Sequence, residues 1–184
     1  MRFRLILFIC ASLLCSSVAA APRATLVEFR KASQQQVKML ATVLGEEAVG
    51  AGAVSFPEQN LIAEVALDGK TNALLALTRS ACSNHACSIE VLVNQNDTWK
   101  HIASFETWAP PYVLDQSTNG LRDLVVFDHV TDDCMACSPP QPVRMSWDPE
   151  AELSDTEKGN YVSAGTVAKA DRHFYKLTRY KNPK

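Results

Sequence analysis

Glycine is scarce in this chain, 7 residues of 184, and no Gly-rich phosphate loop is present. That excludes the nucleotide-binding loops that cradle phosphates with backbone N–H groups. No serine sits in a Gly-x-Ser-x-Gly elbow. The 4 histidines, His85, His101, His129 and His173, form no His-Glu-x-x-His pair, so the helical zinc-hydrolase pattern is absent. No internal repeat is evident, which excludes solenoids and propeller arrays. A surplus of positive charge is also missing. The formal charge is −2, so no overall attraction to nucleic acid or anionic membrane follows. Beyond the N-terminus no long apolar run occurs, and no second membrane segment is expected.

The first twenty residues carry a targeting pattern. Arg2 and Arg4 make a basic start, Leu5 to Val18 is apolar and uncharged, and Val18-Ala19-Ala20 is a small-residue cleavage site. The run is short for a bilayer span. Cys15 raises a lipoprotein alternative, but Leu14 stands where a small residue is expected before a lipidated cysteine. The expectation is a signal peptide over 1–20 and one exported, periplasmic or secreted domain over 21–184, with no stable membrane insertion. Cleavage removes Arg2 and Arg4, taking the charge from −2 to −4. It also removes Cys10 and Cys15, leaving 4 of the 6 cysteines.

Ser33-Gln34-Gln35-Gln36 reads as a capping box. Val37, Leu40, Leu44 and Ala48 then recur on one helical face, with Gly50 as C-cap, for a helix of about four turns. From Leu61 the period changes to strand. Segments at 61–67, 73–78, 88–93 and 98–105 are separated by turn residues such as Asp68-Gly69 and Asn94–Asp97, which predicts an antiparallel meander. Pro110-Pro111 interrupts it. Tyr112–Leu114, Leu124–Phe127 and Pro142–Trp147 follow as strands. The fold class expected is α+β, an N-terminal helix packed on a mainly antiparallel β-sheet or half-open barrel with disulfide-pinned loops. The core spans about 30–147, and an irregular extension occupies 148–184, with Asn160–Val162 and His173–Leu177 as weaker strand candidates within it. Trp99, Trp108 and Trp147 read as core or sheet-face residues. The basic tail from Lys169 to Lys184 reads as a solvated end.

Four residues of chemical interest are Cys82, Cys87, Cys134 and Cys137. In an oxidising compartment they read as two local structural disulfides, Cys82–Cys87 and Cys134–Cys137. Crossed pairing stays open, because four cysteines allow three connectivities. A four-thiolate zinc site is a second reading. The third is a redox-active Cys134-x-x-Cys137, which the following Pro139, Pro140 and Pro142 oppose by breaking the helix such a thiol needs.

The remaining candidate is the polar stretch Asp115 to Asp123. Asp115, Ser117, Asn119 and Asp123 place oxygen donors at positions 1, 3, 5 and 9, with Gly120 at 6, a spacing suited to calcium. The other reading is a metal-free structural turn in which Asn119 and Gly120 take left-handed torsions and the two carboxylates satisfy backbone donors. Locally the stretch resembles the calcium loops of FG-GAP repeats, where an Asp-Gly-x-x-Asp-Leu segment precedes a strand. It departs from them in having Ser117 for a carboxylate and in occurring once. A longer likeness covers roughly Leu61 to Trp147. Cys82-x4-Cys87, Ile89–Val93, Trp99-Lys100 and Thr118-Asn119-Gly120-x-x-Asp123-Leu124 resemble a group of small exported proteobacterial proteins. That resemblance implies a Gram-negative periplasmic home and supplies no activity. The function expected is a non-catalytic periplasmic binding or inhibitor-like module for a protein or small ligand, without nucleic acid. The alternative is an enzyme: a metal-assisted hydrolase using Asp115, Asp123 and His129, or a thiol-disulfide oxidoreductase using Cys134 and Cys137.

Overall fold

The structure, a computed structural model, describes residues 23–50, 57, 59–68, 72–79, 81–82, 86–129, 139–153 and 158–180. Cys134 and Cys137, the segment 1–20, His85 and Gly69 lie outside the described residues. Among the described residues, ten strands form two antiparallel five-stranded sheets. The first contains β1 (Ala24–Leu26), β7 (Tyr112–Thr118), β8 (Leu121–Asp128), β9 (Gln141–Glu152) and β10 (Lys158–Thr166), in that order. The second contains β2 (Arg30–Lys31), β3 (Leu61–Ala66), β4 (Asn72–Leu77), β5 (Cys87–Gln95) and β6 (Thr98–Thr107). The chain changes sheet twice, between β1 and β2 and across the Trp108–Pro111 corner. No helix among the described residues is long and apolar enough to cross a membrane.

Side-chain alternation explains the layers. Leu61, Ala63, Leu75, Leu77, Ile89 and Val91 of the second sheet share the main core with Val113, Leu124, Val126 and Val143 of the first. The intervening residues Ile62, Leu74, Ala76 and Leu92 form another apolar cluster with Ala32 and Leu40. Leu40 comes from α1 (Gln34–Leu44) and is fully buried. On the first sheet, Tyr112, Leu114, Val125 and Phe127 form a third cluster, with Trp108, Val167 and Tyr175 against it. β4 is therefore almost continuously apolar because both its faces are buried.

The capping box exists as read. Ser33 Oγ accepts from Gln36 N at 3.3 Å, and Gln36 Oε1 accepts from Ser33 N at 2.9 Å. The helix ends sooner than expected, because Gly45 takes φ 92° and turns the chain out after Leu44. One further turn, α2 (Glu46–Val49), precedes Gly50.

Two corrections concern the strands. The stretch 115–123 is mostly strand, joined by a two-residue turn at Asn119 (φ 52°) and Gly120 (φ 91°). Both central torsions are positive, as a turn matching the twist of a tight hairpin requires. The segment 148–184 is not irregular throughout: β9 continues to Glu152, and β10 pairs back on it through Tyr161↔Trp147. Beyond β10, a short 3-10 turn (Arg172–Phe174) and the following residues lie against the first sheet. The Lys176 N–H donates to Tyr112 Oη at 3.0 Å, and Tyr112 donates back to the Lys176 carbonyl at 3.3 Å.

Candidate functional site

The hairpin β7–β8 separates the four oxygen donors that the sequence groups together. Asp115 and Ser117 are exposed on β7, and Asn119 sits in the turn, where its Nδ2 donates to the Trp147 carbonyl at 2.9 Å. Asp123, on β8, is fully buried. Its Oδ2 accepts from Thr118 Oγ1 at 3.2 Å and from Arg144 Nε at 2.9 Å, with Arg144 Nη2 closing the fork. Its Oδ1 meets no hydrogen-bond partner among the described residues. The carboxylate thus neutralises an arginine instead of a backbone donor, and one β-strand alternation puts both on the same face. Calcium requires several oxygens converging on one point; here Asp123 Oδ2 is taken by Arg144 and Thr118 and the Asn119 amide by the Trp147 carbonyl, while Asp115 and Ser117 stay at the surface. Among the described residues no group of three or more His, Cys, Asp or Glu side chains forms a metal-binding cluster.

Burial first, and then the charge on Asp123, push the Tyr161 phenol well above its ordinary value. Its hydroxyl donates to the Arg122 carbonyl at 2.9 Å. Tyr161, Phe105 and Trp147 meet edge to face, at centroid separations of 6.1 and 5.7 Å. These contacts tie β8, β9 and β10 into one rigid corner.

His129 stands six residues beyond Asp123, roughly 20 Å along an extended strand. Its ring meets Trp108 edge-on at 4.6 Å, and both ring nitrogens are buried with no hydrogen-bond partner among the described residues. Asp115, Asp123 and His129 are therefore not gathered into one centre. Cys82 and Cys87 form a disulfide. It closes the loop entering β5, where Ser88 N also donates to Ala81 O at 2.8 Å.

A polar cluster that sequence reasoning missed lies on β5 and β6. Ser88 Oγ and Ser104 Oγ both donate to Glu90 Oε1, at 2.9 and 3.3 Å, and His101 Nε2 lies 2.8 Å from Glu90 Oε2. The His101 contact is an ion pair by distance without an aligned N–H. Burial raises the Glu90 carboxyl, but the His101 and serine contacts together outweigh it and hold that carboxyl below its ordinary value. The serines donate to the carboxylate, not to the imidazole. The cluster therefore joins β5 to β6 through side chains as well as backbone. Asn160 of β10 extends it, accepting from Ser104 N at 3.3 Å and so joining the two sheets on this side.

The opposite side of the sandwich is open. β2 pairs with β3 only at Arg30↔Ile62 and Lys31↔Leu61, preceded by the bond from Ala32 N to Asn60 O at 2.9 Å. Backbone groups of an antiparallel strand point alternately to its two neighbours. Asn60 and Ile62 face β2, so Glu64 and Ala66 face the same way, past the end of β2. There they border a cleft of about 420 Å³ lined by Thr25–Glu28, Ala63–Ala66, Val113 and Arg122. The chain crossing from β1 to β2 closes one end. The bond from Arg122 N to Leu67 O, 2.5 Å, closes the other.

No protein-family model, no curated protein and no solved structure matches this chain.

Proposed function

We propose that this protein is a non-catalytic binding module of the periplasm that takes an extended peptide segment of a partner along the free edge of β3. The observation that carries the reading is the strand edge itself: Glu64 and Ala66 direct their N–H and C=O groups into the cleft beyond the two-residue β2. An unpaired edge is a template for another strand, and strand addition draws affinity from main-chain hydrogen bonds and specificity from pockets for alternate side chains. Ala63, Val65 and Val113 give the cleft an apolar floor suited to small apolar side chains, while Glu28, Arg122 and Glu64, the last paired with Arg30, supply charge at its margins. The Cys82–Cys87 disulfide fits an oxidising compartment. In the same reading, α1 covers the outer face of the second sheet through Leu40 and braces the edge strand.

The test is selection of random peptides on the full chain, followed by amide-shift mapping and the variant Ala66→Pro. Proline removes the Ala66 N–H without touching the β4 ladder. Selected peptides shift the amides of Glu64 and Ala66, and A66P weakens them roughly tenfold, as loss of one to two hydrogen bonds requires. Peptides that shift residues away from β3, or that bind A66P undiminished, sink the proposal.

A further inference from the structure

We infer that the segment following β10 is a docking strap for the surface of an anionic phospholipid bilayer. Among the described residues the exposed large hydrophobic side chains are Val162, Phe174 and Leu177. Two of them lie on this strap, 52 % and 53 % exposed. They alternate with the exposed cations of Phe174-x-Lys176-Leu177-x-Arg179. From Lys169 to Tyr180 four lysines and arginines stand against Asp171 alone, a local excess of positive charge in a chain whose formal charge is −2.

The strap is presented, not dangling. Tyr112 exchanges two hydrogen bonds with the Lys176 backbone. Tyr175 packs edge-on against Tyr112 at 5.4 Å, and Tyr180 against Phe29 at 5.8 Å. Those inward rings fix the backbone while Phe174, Lys176, Leu177 and Arg179 stay outside. Pre-ordering matters, because side chains that are already held lose little entropy on docking. Of the neighbouring acids, Glu28 lines the same cavity as Arg179, and Asp115 and Asp171 lie close to Tyr175. Glu150 and Glu152 lie near the far tip of the β9–β10 hairpin, and β10 itself is nine residues long, roughly 27 Å of strand. That exceeds the ~8 Å Debye length of physiological salt, so the acidic tip does not cancel the strap.

Charge complementarity selects an anionic surface, and the apolar pair selects a bilayer over an acidic protein. Phe174 and Leu177 can enter the headgroup boundary while the cations stay among the phosphates. Neither group inserts a spanning segment, so the contact is peripheral and reversible.

The experiment is flotation of the full chain with vesicles of phosphatidylglycerol in phosphatidylcholine, and with phosphatidylcholine alone. The protein floats with the anionic vesicles, weakly or not at all with the neutral ones, and the bound fraction falls with salt. Lys176→Gln with Arg179→Gln lowers partitioning about 25-fold, from roughly fivefold per cation at an anionic surface. Phe174→Ser with Leu177→Ser lowers it about tenfold with the salt dependence intact, because only apolar burial is removed. All four positions are exposed, so unchanged circular dichroism checks the fold of each variant. Equal flotation with neutral vesicles, no flotation at all, or capture by polyglutamate without flotation overturns the inference.

Discussion

Replacing Arg144 with methionine tests whether the β7–β8–β9 corner is held by charge. The Asp123 carboxylate is fully buried and takes both contacts from the Arg144 guanidinium on Oδ2. Methionine keeps the aliphatic stem and removes the counter-charge. Breaking a buried pair by deleting one partner costs about 3–5 kcal/mol, because an ion is left without compensation. Arg144 itself is 34 % exposed, so water enters the vacated space and the lower end applies, about 3 kcal/mol. Urea unfolding followed by tryptophan fluorescence reads this directly, since Trp147 lies in the same corner. The thermal midpoint falls by roughly 6–12 °C, at 2–4 °C per kcal/mol for a chain of this size.

The reverse deletion is milder. Asp123→Asn keeps the Thr118 contact in a neutral form and leaves an arginine that reaches solvent, for a loss of about 1–2 kcal/mol. In the double variant the buried charge is gone. Its destabilisation is therefore smaller than the sum of the singles by about 1–2 kcal/mol, the coupling expected of residues in contact. A loss under ~1 kcal/mol for R144M, or strict additivity in the cycle, would refute the argument that Asp123 is charged and paired in the folded state.

Gly159 has φ 102°, and a Cβ there would lie 2.7 Å from the Trp147 ring; Gly159→Ala costs about 2–4 kcal/mol in chemical denaturation from strain and overlap together. The Glu90 carboxyl is held below 4.5 despite burial, so its stabilisation is present above pH ~4.5 and is lost as pH falls through the lower folded-state value. Glu90→Gln therefore flattens the acid limb of stability below that pH, and an unchanged limb would remove Glu90 from the account. Cys82→Ala with Cys87→Ala opens a loop of sequence separation 5 and lowers unfolding free energy by about 2 kcal/mol on the chain-entropy account. Calcium leaves the melting temperature unchanged relative to chelator, because the Asp123 carboxylate is already engaged by Arg144 and Thr118; a rise that saturates with calcium would reinstate the loop as a metal site.

The meander from Leu61 to Phe105 is legible because its apolar segments, alternating or continuous as in β4, are separated by turn residues such as Asp68 and Asn94–Asp97. Asn119-Gly120 is legible for the same reason: its chemistry serves one backbone geometry. Other features escape periodicity. β10 is legible as a strand only at Asn160–Val162; its exposed remainder, Ser163 to Thr166, is a strand because it pairs with β9. The division into two sheets depends on the Trp108–Pro111 corner, since alternation reads the same whichever sheet a strand joins. The Glu90 cluster is invisible because the bulge between Val91 and Leu92 changes register. It sets His101 and Ser104, three residues apart, on the face of Glu90, where a regular strand would divide them. Arg144 reads as one cation in an apolar strand, and its partner lies twenty-one residues away.

The polar side chains that invite a catalytic reading are engaged in holding strands. Asp123 is taken by Arg144, Glu90 by two serines and His101, and Asn160 by the second sheet. What faces outward is backbone along β3 and the cationic, apolar strap. These two surfaces adjoin. Leu26, Val27 and Glu28 line the β3 cleft on one side and, on the other, a cavity of about 310 Å³ walled by Thr178, Arg179 and Tyr180 of the strap. If the strap rests on a bilayer as proposed, the cleft lies beside the lipid surface. The crossover that lines the cleft leads directly into Phe29, the ring on which Tyr180 rests. Occupancy of the cleft and docking of the strap then share one element, and linkage requires each to alter the other's affinity by the same factor.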